Sequence, residues 1–253
     1  MVTTRRTTIG FDRKIRLSWL DATADWAAQG LPAEEIRTRL ERLLEGALPG
    51  SAPKGARYKS KAVLLHVWVT LPDEFVPLRN DGLKLLRLRS GKDRLPLHWG
   101  MCLSTYPFFH DLAATTGRLL QIQGTVALSQ IARRMAESWG DRSTVVRAVQ
   151  RVTRCFVDWG ALRDTREAGV YAALPKTAVR EPDSIWMLEA ALADCGSGGQ
   201  PFRSLITSPV FFPFELNLSA RDVGRSARLE IHRQGFDDDL VVPRSRARDC
   251  PEG

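Results

Sequence analysis

Residues 124–174 read GTVALSQIARRMAESWGDRSTVVRAVQRVTRCFVDWGALRDTREAGVYAAL, and the rest of the chain is best read outward from them. Val126 is a lone apolar residue in a short extended piece, after which Leu128, Ile131 and Met135 mark one face of a helix. Trp139-Gly140-Asp141 interrupts that pattern, and Asp141 or Ser143 is placed to cap a second helix. Along it Val145, Val149, Val152, Phe156 and Trp159 fall at helical spacing over four turns, a regular apolar stripe. Gly160 follows as a left-handed terminator. Ala161-Leu162-Arg163 then predicts a strand, Asp164 to Gly169 a turn, and Val170 to Leu174 the returning strand.

Helix, short turn, helix and β-hairpin is the order of a winged helix–turn–helix, in which the second helix enters the major groove. The polar face of that helix holds Thr144, Arg147, Gln150, Arg151 and Arg154, with Arg142 and Ser143 at its leading end. Arginine pairs with guanine O6 and N7, and glutamine with adenine N6 and N7, so these residue types on an exposed helix point to double-stranded DNA. Arg163 and Arg166 would sit in or near the wing, and Arg133 and Arg134 on the preceding helix, toward phosphates. A protein-docking role for the same unit is the competing reading, since Asp158 and Glu137 weaken the local positive field.

The charge balance bears on this choice. The 253 residues carry 37 Lys and Arg against 29 Asp and Glu, a net +8. Residues 1–61 hold 12 basic and 7 acidic side chains, residues 118–166 hold 9 and 4, and residues 183–253 hold 8 and 11. A polyanion would therefore meet the first two-thirds and be repelled by the last third. Within the first basic region Lys54, Arg57, Lys59 and Lys61 crowd the start of a helix, against its dipole, a small cost that a bound phosphate would offset.

Before that point residues 13–28 read as a helix on Ile15, Trp19, Ala22 and Trp26, with Asp12 as N-cap and Gly30 closing it. Pro32, Glu34 and Glu35 open another, with Ile36, Leu40 and Leu43 inward. Pro49 to Pro53 is a linker, a third helix covers 59–69, and two shorter ones fill 73–88. Leu95 to Thr105 is a buried helix broken near Pro107, and another covers 109–121. Trp99, Tyr106, Phe108 and Phe109 are expected in the core, not on a base-stacking platform, because they lack strand or glycine-rich context. Beyond the hairpin, 184–193 is a helix, Phe211 to Phe214 a buried extended segment, and Leu229–Ile231 pairs with Leu240–Val242 through a turn at Gln234-Gly235. Asp237-Asp238-Asp239 lacks calcium-loop spacing and reads as a solvated turn. Residues 244–253 read as a frayed tail.

The fold class expected is mainly α (α+β). A basic helical domain covers 1–94, a winged helix–turn–helix 95–178, and a small C-terminal α/β-hairpin unit 179–243, before the tail at 244–253; length alone predicts about two domains. No run approaches a membrane span, and the start lacks the apolar region of a signal peptide. Cys102, Cys155, Cys195 and Cys250 are widely spaced with no CxxC, which argues against a zinc knuckle or disulfide scaffold and suits a reducing cytoplasm. His66, His98, His110 and His232 stand apart from one another, and no P-loop, GxGxxG, HExxH or GxSxG pattern occurs. A non-enzyme with no cofactor is expected, and His98, beside Trp99, is expected to be a satisfied core histidine.

Leu97-His98-Trp99-Gly100 leading to Tyr106-Pro107-Phe108-Phe109, and then a helix ending in Val157-Asp158-Trp159-Gly160, resembles the BrxA family of bacteriophage-exclusion (BREX) systems. The resemblance spans residues 10–175; residues 211–242 find no counterpart. It implies a small helical protein that binds double-stranded DNA through a winged helix and lacks catalytic activity. Family members are encoded beside a methyltransferase, an ATPase and a phosphatase-like protein, so it also implies antiviral defence, with proteins of the same operon as partners. The rival expectation is an adaptor that assembles such a complex through the winged helix and C-terminal unit.

Overall fold

A computed structural model describes residues 8–48, 55–193, 199–234 and 238–244. It is mostly helical with small sheets. The expected cationic Lys54, the linker at 49–53, Cys195, Cys250, Gly235, Asp237 and the tail beyond Arg244 lie outside the described residues.

Five helices precede the region quoted first: α1 Leu17–Ala28, α2 Ala33–Glu45, α3 Ala56–Trp68, α4 Val76–Arg87 and α5 Leu95–Thr105. The first starts later than its spacing predicts. Asp12 caps nothing, Arg16 is the N-cap residue, and Ile15 is buried from an extended approach to the helix. On α2 the inward residue of the last turn is Leu44, fully buried, while Leu43 faces solvent; with Ile36 and Leu40 it completes a spacing of four.

Every residue of α5 is buried. Trp99 on it is the hub of the core, its ring 4.9 Å from that of Phe156, 5.1 Å from Phe109 and 5.4 Å from Phe212, with its indole N–H donated to the Val210 carbonyl at 2.9 Å. Phe109 and Phe212 meet Trp99 edge to face, whereas Phe156 lies tilted at 33°. The motif residues Trp99, Tyr106, Phe108, Phe109 and Trp159 are thus packing residues, all buried. His98 is fully buried beside them. Trp68 Nε1, which can only donate, gives its proton to His98 Nδ1 at 3.1 Å, so Nε2 carries the proton that faces Asp21 at 3.0 Å. Burial, against the pull of Asp21, holds the imidazole pKa below its ordinary value.

Tyr106, extended, separates α5 from α6 Pro107–Gln123, which Gly124 ends in the left-handed region at φ 73°. Then come β1 Thr125–Ala127, α7 Leu128–Trp139, α8 Ser143–Asp158, β2 Leu162–Asp164 and β3 Val170–Ala173. The strands form one antiparallel sheet in the order β1-β3-β2, with Val126 opposite Tyr171 and Arg163 opposite Ala172. The short piece before α7 is therefore the third strand of the hairpin's sheet.

The C-terminal third adds β4 Thr177–Val179, α9 Glu181–Leu192, β5 Gln200–Pro201, α10 Phe202–Ile206, β6 Phe214–Leu216, α11 Ala220–Val223, β7 Leu229–Gln234 and β8 Asp238–Pro243. Phe211, expected extended, closes a 3-10 turn that starts at Pro209, and only Phe214 enters a strand, parallel to β4. Arg244, expected frayed, donates its Nε proton to the Leu229 carbonyl at 3.0 Å and belongs to the β7–β8 hairpin. Trp186 on α9 wedges between α4 and α5, against Gly82 and Gly100, with its indole N–H on the Leu78 carbonyl at 2.9 Å. Arg89 and Asp183 form a two-bond ion pair at 2.8 and 3.0 Å along the same seam. One buried core runs from Phe11 to Val241 through all three expected units.

Candidate nucleic-acid interface

The apolar stripe of α8 is buried as its spacing predicts: Val145, Val149, Val152 and Phe156 are fully covered and Trp159 nearly so. At 3.6 residues per turn Ser143, Arg147, Gln150 and Arg154 then fall within one arc on the opposite side. Ser143, Thr144, Arg147 and Gln150 are exposed, as is Arg142. Neither Asp141 nor Ser143 caps the helix. Arg142 is the N-cap residue and makes no capping bond, because Gly140, at φ 87°, turns the chain so that Ser143 is already helical and the Arg142 guanidinium reaches back to the Trp139 carbonyl at 3.0 Å. The first-turn N–H groups of α8 have no side-chain acceptor.

The expected cations differ in what holds them. Arg147 folds back over its own helix, with Nε 3.2 Å from the Ser143 carbonyl and Nη2 3.4 Å from its hydroxyl, and pairs with no carboxylate among the described residues. Arg154, in contrast, donates to Asp164 Oδ1 at 2.5 Å, and that hydrogen bond raises its pKa. Arg151 is half-buried, with Nη1 3.1 Å from the Asp12 carbonyl. Both were expected to face a ligand freely; instead the β2 carboxylate takes one and the chain's own start takes the other. Arg163 and Arg166 are exposed on the hairpin and, like Arg133 on α7, form no ion pair among the described residues. Arg134 faces Glu137 at 3.4 Å, one turn away and in solvent.

The first basic region is altered more. Arg57, expected to face a polyanion, is buried, with Nη1 3.3 Å from Glu41 and 3.8 Å from Glu45 and Nη2 on the Leu48 carbonyl at 3.3 Å. Lys61 meets Glu41 at 2.5 Å, and its hydrogen bond is the main reason that carboxylate stays below its ordinary pKa. The carboxylates of α2 thus neutralise the basic start of α3, a pairing across the 49–53 linker.

Lys59 points elsewhere. Its Nζ lies 3.8 Å from Asp12 Oδ2, and the Asp12 carbonyl is the group that holds Arg151. Residues 8–16 run along α8, anchored by Trp159 Nε1 on the Ile15 carbonyl at 2.9 Å and by the Ile15 amide on the Cys155 sulfur at 3.1 Å. Asp12 is where the two expected basic regions meet. The same segment brings in Arg13, whose guanidinium lies close enough to Arg151 and Arg147 for their charges to lower its pKa, after the larger effect of burial. Arg13 was not among the expected site residues, because its spacing with Ile15 and Trp19 reads as the start of α1; the signal that could have found it is the basic run Arg13-Lys14 just before the first buried face.

No group of three His, Cys, Asp or Glu side chains among the described residues is arranged to hold a metal ion, and no described helix is long and apolar enough to cross a membrane. Cys102 and Cys155 are buried free thiols. No family model, curated protein or solved structure matches the chain.

Proposed function

We propose that this chain is a non-enzymatic protein that binds double-stranded DNA through a winged helix–turn–helix formed by α6 to β3, and that it serves in a phage-defence system of the BREX type. The observation that carries this reading is the outward arc of α8: Ser143, Arg147 and Gln150 exposed, without a carboxylate partner among the described residues, on a helix whose other face is buried. The order β1-α7-α8-β2-β3 with sheet order β1-β3-β2 supports the assignment of α8 as the helix that enters the major groove. Arg147 and Gln150 are then the base readers, and Arg133, Arg163 and Arg166 the phosphate contacts on either side. Lys59, half-exposed beside Asp12, extends the cationic surface toward the N-terminal helices. The resemblance of the Leu97–Gly100, Tyr106–Phe109 and Val157–Gly160 motifs to the BrxA family supports the defence setting, with double-stranded DNA and proteins of the same operon as partners.

Binding of the full chain to random duplex across a salt series tests the proposal. Phosphate neutralisation makes log K fall with log salt at a slope of about −0.9 per contact. A steep slope supports it, and absence of retention at low salt overturns it. The adaptor reading has one observation in its favour: Val146 is 45% exposed and lines a shallow cleft with Ala132 and Ala136 of α7, rimmed by Arg133, Glu137 and Asp141, a small apolar centre with a charged edge that suits another protein. Copurification with an operon protein without duplex binding would favour it.

A further inference from the structure

Between α3, the segment at Thr8–Gly10 and the break at Tyr106-Pro107 lies an open cleft of about 850 Å³, within the range of small-molecule sites. Part of its wall is aromatic. Tyr58 is 55% exposed, and His66 meets Tyr106 edge to face with ring centroids 5.1 Å apart. Arg37 and Lys61 line it, and among the described residues no carboxylate does. Each of these cations holds one carboxylate of α2, Arg37 on Glu34 at 2.8 Å and Lys61 on Glu41 at 2.5 Å. A guanidinium has five N–H donors and an ammonium three, so both keep donors for a second anion. His66 Nδ1 gives its proton to the Thr70 carbonyl at 3.2 Å, which leaves Nε2 as an acceptor.

Aromatic rings, one imidazole acceptor and two ion-paired cations with N–H donors to spare suit a planar polar ring that carries an anion. An apolar ligand would strip water from Arg37 and Lys61 with nothing in return. We propose that this cleft binds a single nucleotide, with its base against Tyr58 and His66 and its phosphate at Lys61 and Arg37. This goes beyond duplex binding: with a free ligand it does not depend on that reading, and with DNA as the source it rests on it. Two sources share that chemistry: a free mononucleotide, or a nucleotide left unpaired in DNA held on α8. The second is within reach, because Trp139 lines the cleft and its carbonyl holds Arg142 at the leading end of α8.

The test uses the full chain in two arms. In the first, dAMP and dTMP are titrated calorimetrically. In the second, 2-aminopurine is placed at a bulged position in a short duplex and its fluorescence followed on addition of protein. Tyr58→Ala and Arg37→Ala are compared with the unaltered chain; both side chains are well exposed, and circular dichroism checks their folding. Saturable mononucleotide binding, weakened about tenfold or more by each substitution, supports the proposal with a free ligand. Quenching of the bulged probe alone, lost in both variants while blunt-duplex affinity is unchanged, supports it with DNA as the source. No saturable signal in either arm, or binding that both variants retain, overturns it. Since the first arm contains no DNA, failure of duplex binding leaves it readable.

Discussion

Arg154 of α8 and Asp164 of β2 are joined by a hydrogen-bonded ion pair of 2.5 Å that ties the helix expected in the groove to the base of its hairpin. The pair is partly exposed, so its contribution to stability is small. If α8 binds DNA as proposed, its effect on recognition is larger: the pair would withhold a guanidinium from the duplex and set a carboxylate beside it.

Replacing that carboxylate tests the point. Asp164→Asn keeps a hydrogen-bond acceptor and removes the charge, so Arg154 becomes available to phosphate. Duplex affinity is expected to rise at low salt, and the slope of log K against log salt to steepen by about one contact. Fluorescence anisotropy across a salt series reads both quantities. An unchanged slope would show that Arg154 lies outside the interface.

Arg147 and Gln150 face outward with no acidic partner among the described residues, and on the proposed reading they are the positions where base identity would be read. Alanine at either is expected to cost about 1–3 kcal/mol of binding to a preferred sequence and to relax preference at one position. Alanine at Arg163 or Arg166 should weaken all sequences alike. Selection from a randomised duplex pool, with each variant, separates the two behaviours.

Arg57 gives the opposite expectation. Buried between Glu41, Glu45 and the Leu48 carbonyl, it holds α2 to α3. Arg57→Ala leaves a carbonyl and two carboxylates short of a donor, and is expected to destabilise the fold by about 1–3 kcal/mol. Duplex affinity per folded molecule should not change. Urea unfolding beside binding below the transition makes the comparison, and a fold of unaltered stability with weakened binding would return Arg57 to the interface.

These cases show where sequence reading stops. The stripe from Val145 to Trp159 was legible because one periodicity, set by the helix alone, places all five side chains on one face. The hairpin after Gly160 was legible for a similar local reason. The partners of Arg57, Arg151 and Arg154 were not, since each lies on another element: Glu41 sits across a linker, Asp12 is 139 positions from Arg151, and Asp164 is beyond a helix end. A count of charge along the chain treats Arg57 to Lys61 as a cationic block, while the fold sets Glu41 against it. The segment at 8–16 misled for the same reason: Ile15 and Trp19 keep helical spacing, but the Ile15 backbone is taken by Cys155 and Trp159.

Gly100 places the α9 contact under a sharp test. A Cβ there would run into the Trp186 ring, and one at Gly82 would come within 2.7 Å of it. The ring is also held by its bond to the Leu78 carbonyl, so it cannot turn aside without losing a buried hydrogen bond. Gly100→Ala is expected to destabilise by about 1–3 kcal/mol through overpacking, against the usual helix preference for alanine. Thermal unfolding that rose instead would mean that the indole has room to move.

The buried His98 makes stability depend on pH in a definite direction. Its folded pKa lies below the ordinary 6.5, chiefly because burial penalises the charged ring. As pH falls below 6.5 the unfolded chain takes up a proton that folded His98 refuses, so stability present above that value is lost with acidification. Asp21 works in the same sense at lower pH. Burial pushes it up, but the His98 hydrogen bond and the Arg94 charge more than offset this, and its contribution is lost as pH falls below 3.8. Glu189 opposes both, because burial raises its pKa and protonation relieves it. The clean readout is therefore a difference between proteins. His98→Gln can accept from Trp68 and donate to Asp21 without titrating. It is expected to cost stability at neutral pH, yet to lose less than the unaltered chain between pH 6.5 and 5, where one proton is worth about 1.4 kcal/mol per pH unit. Urea denaturation at both ends of that interval measures it, and parallel losses in the two proteins would mean that folded His98 takes up its proton as readily as the unfolded chain.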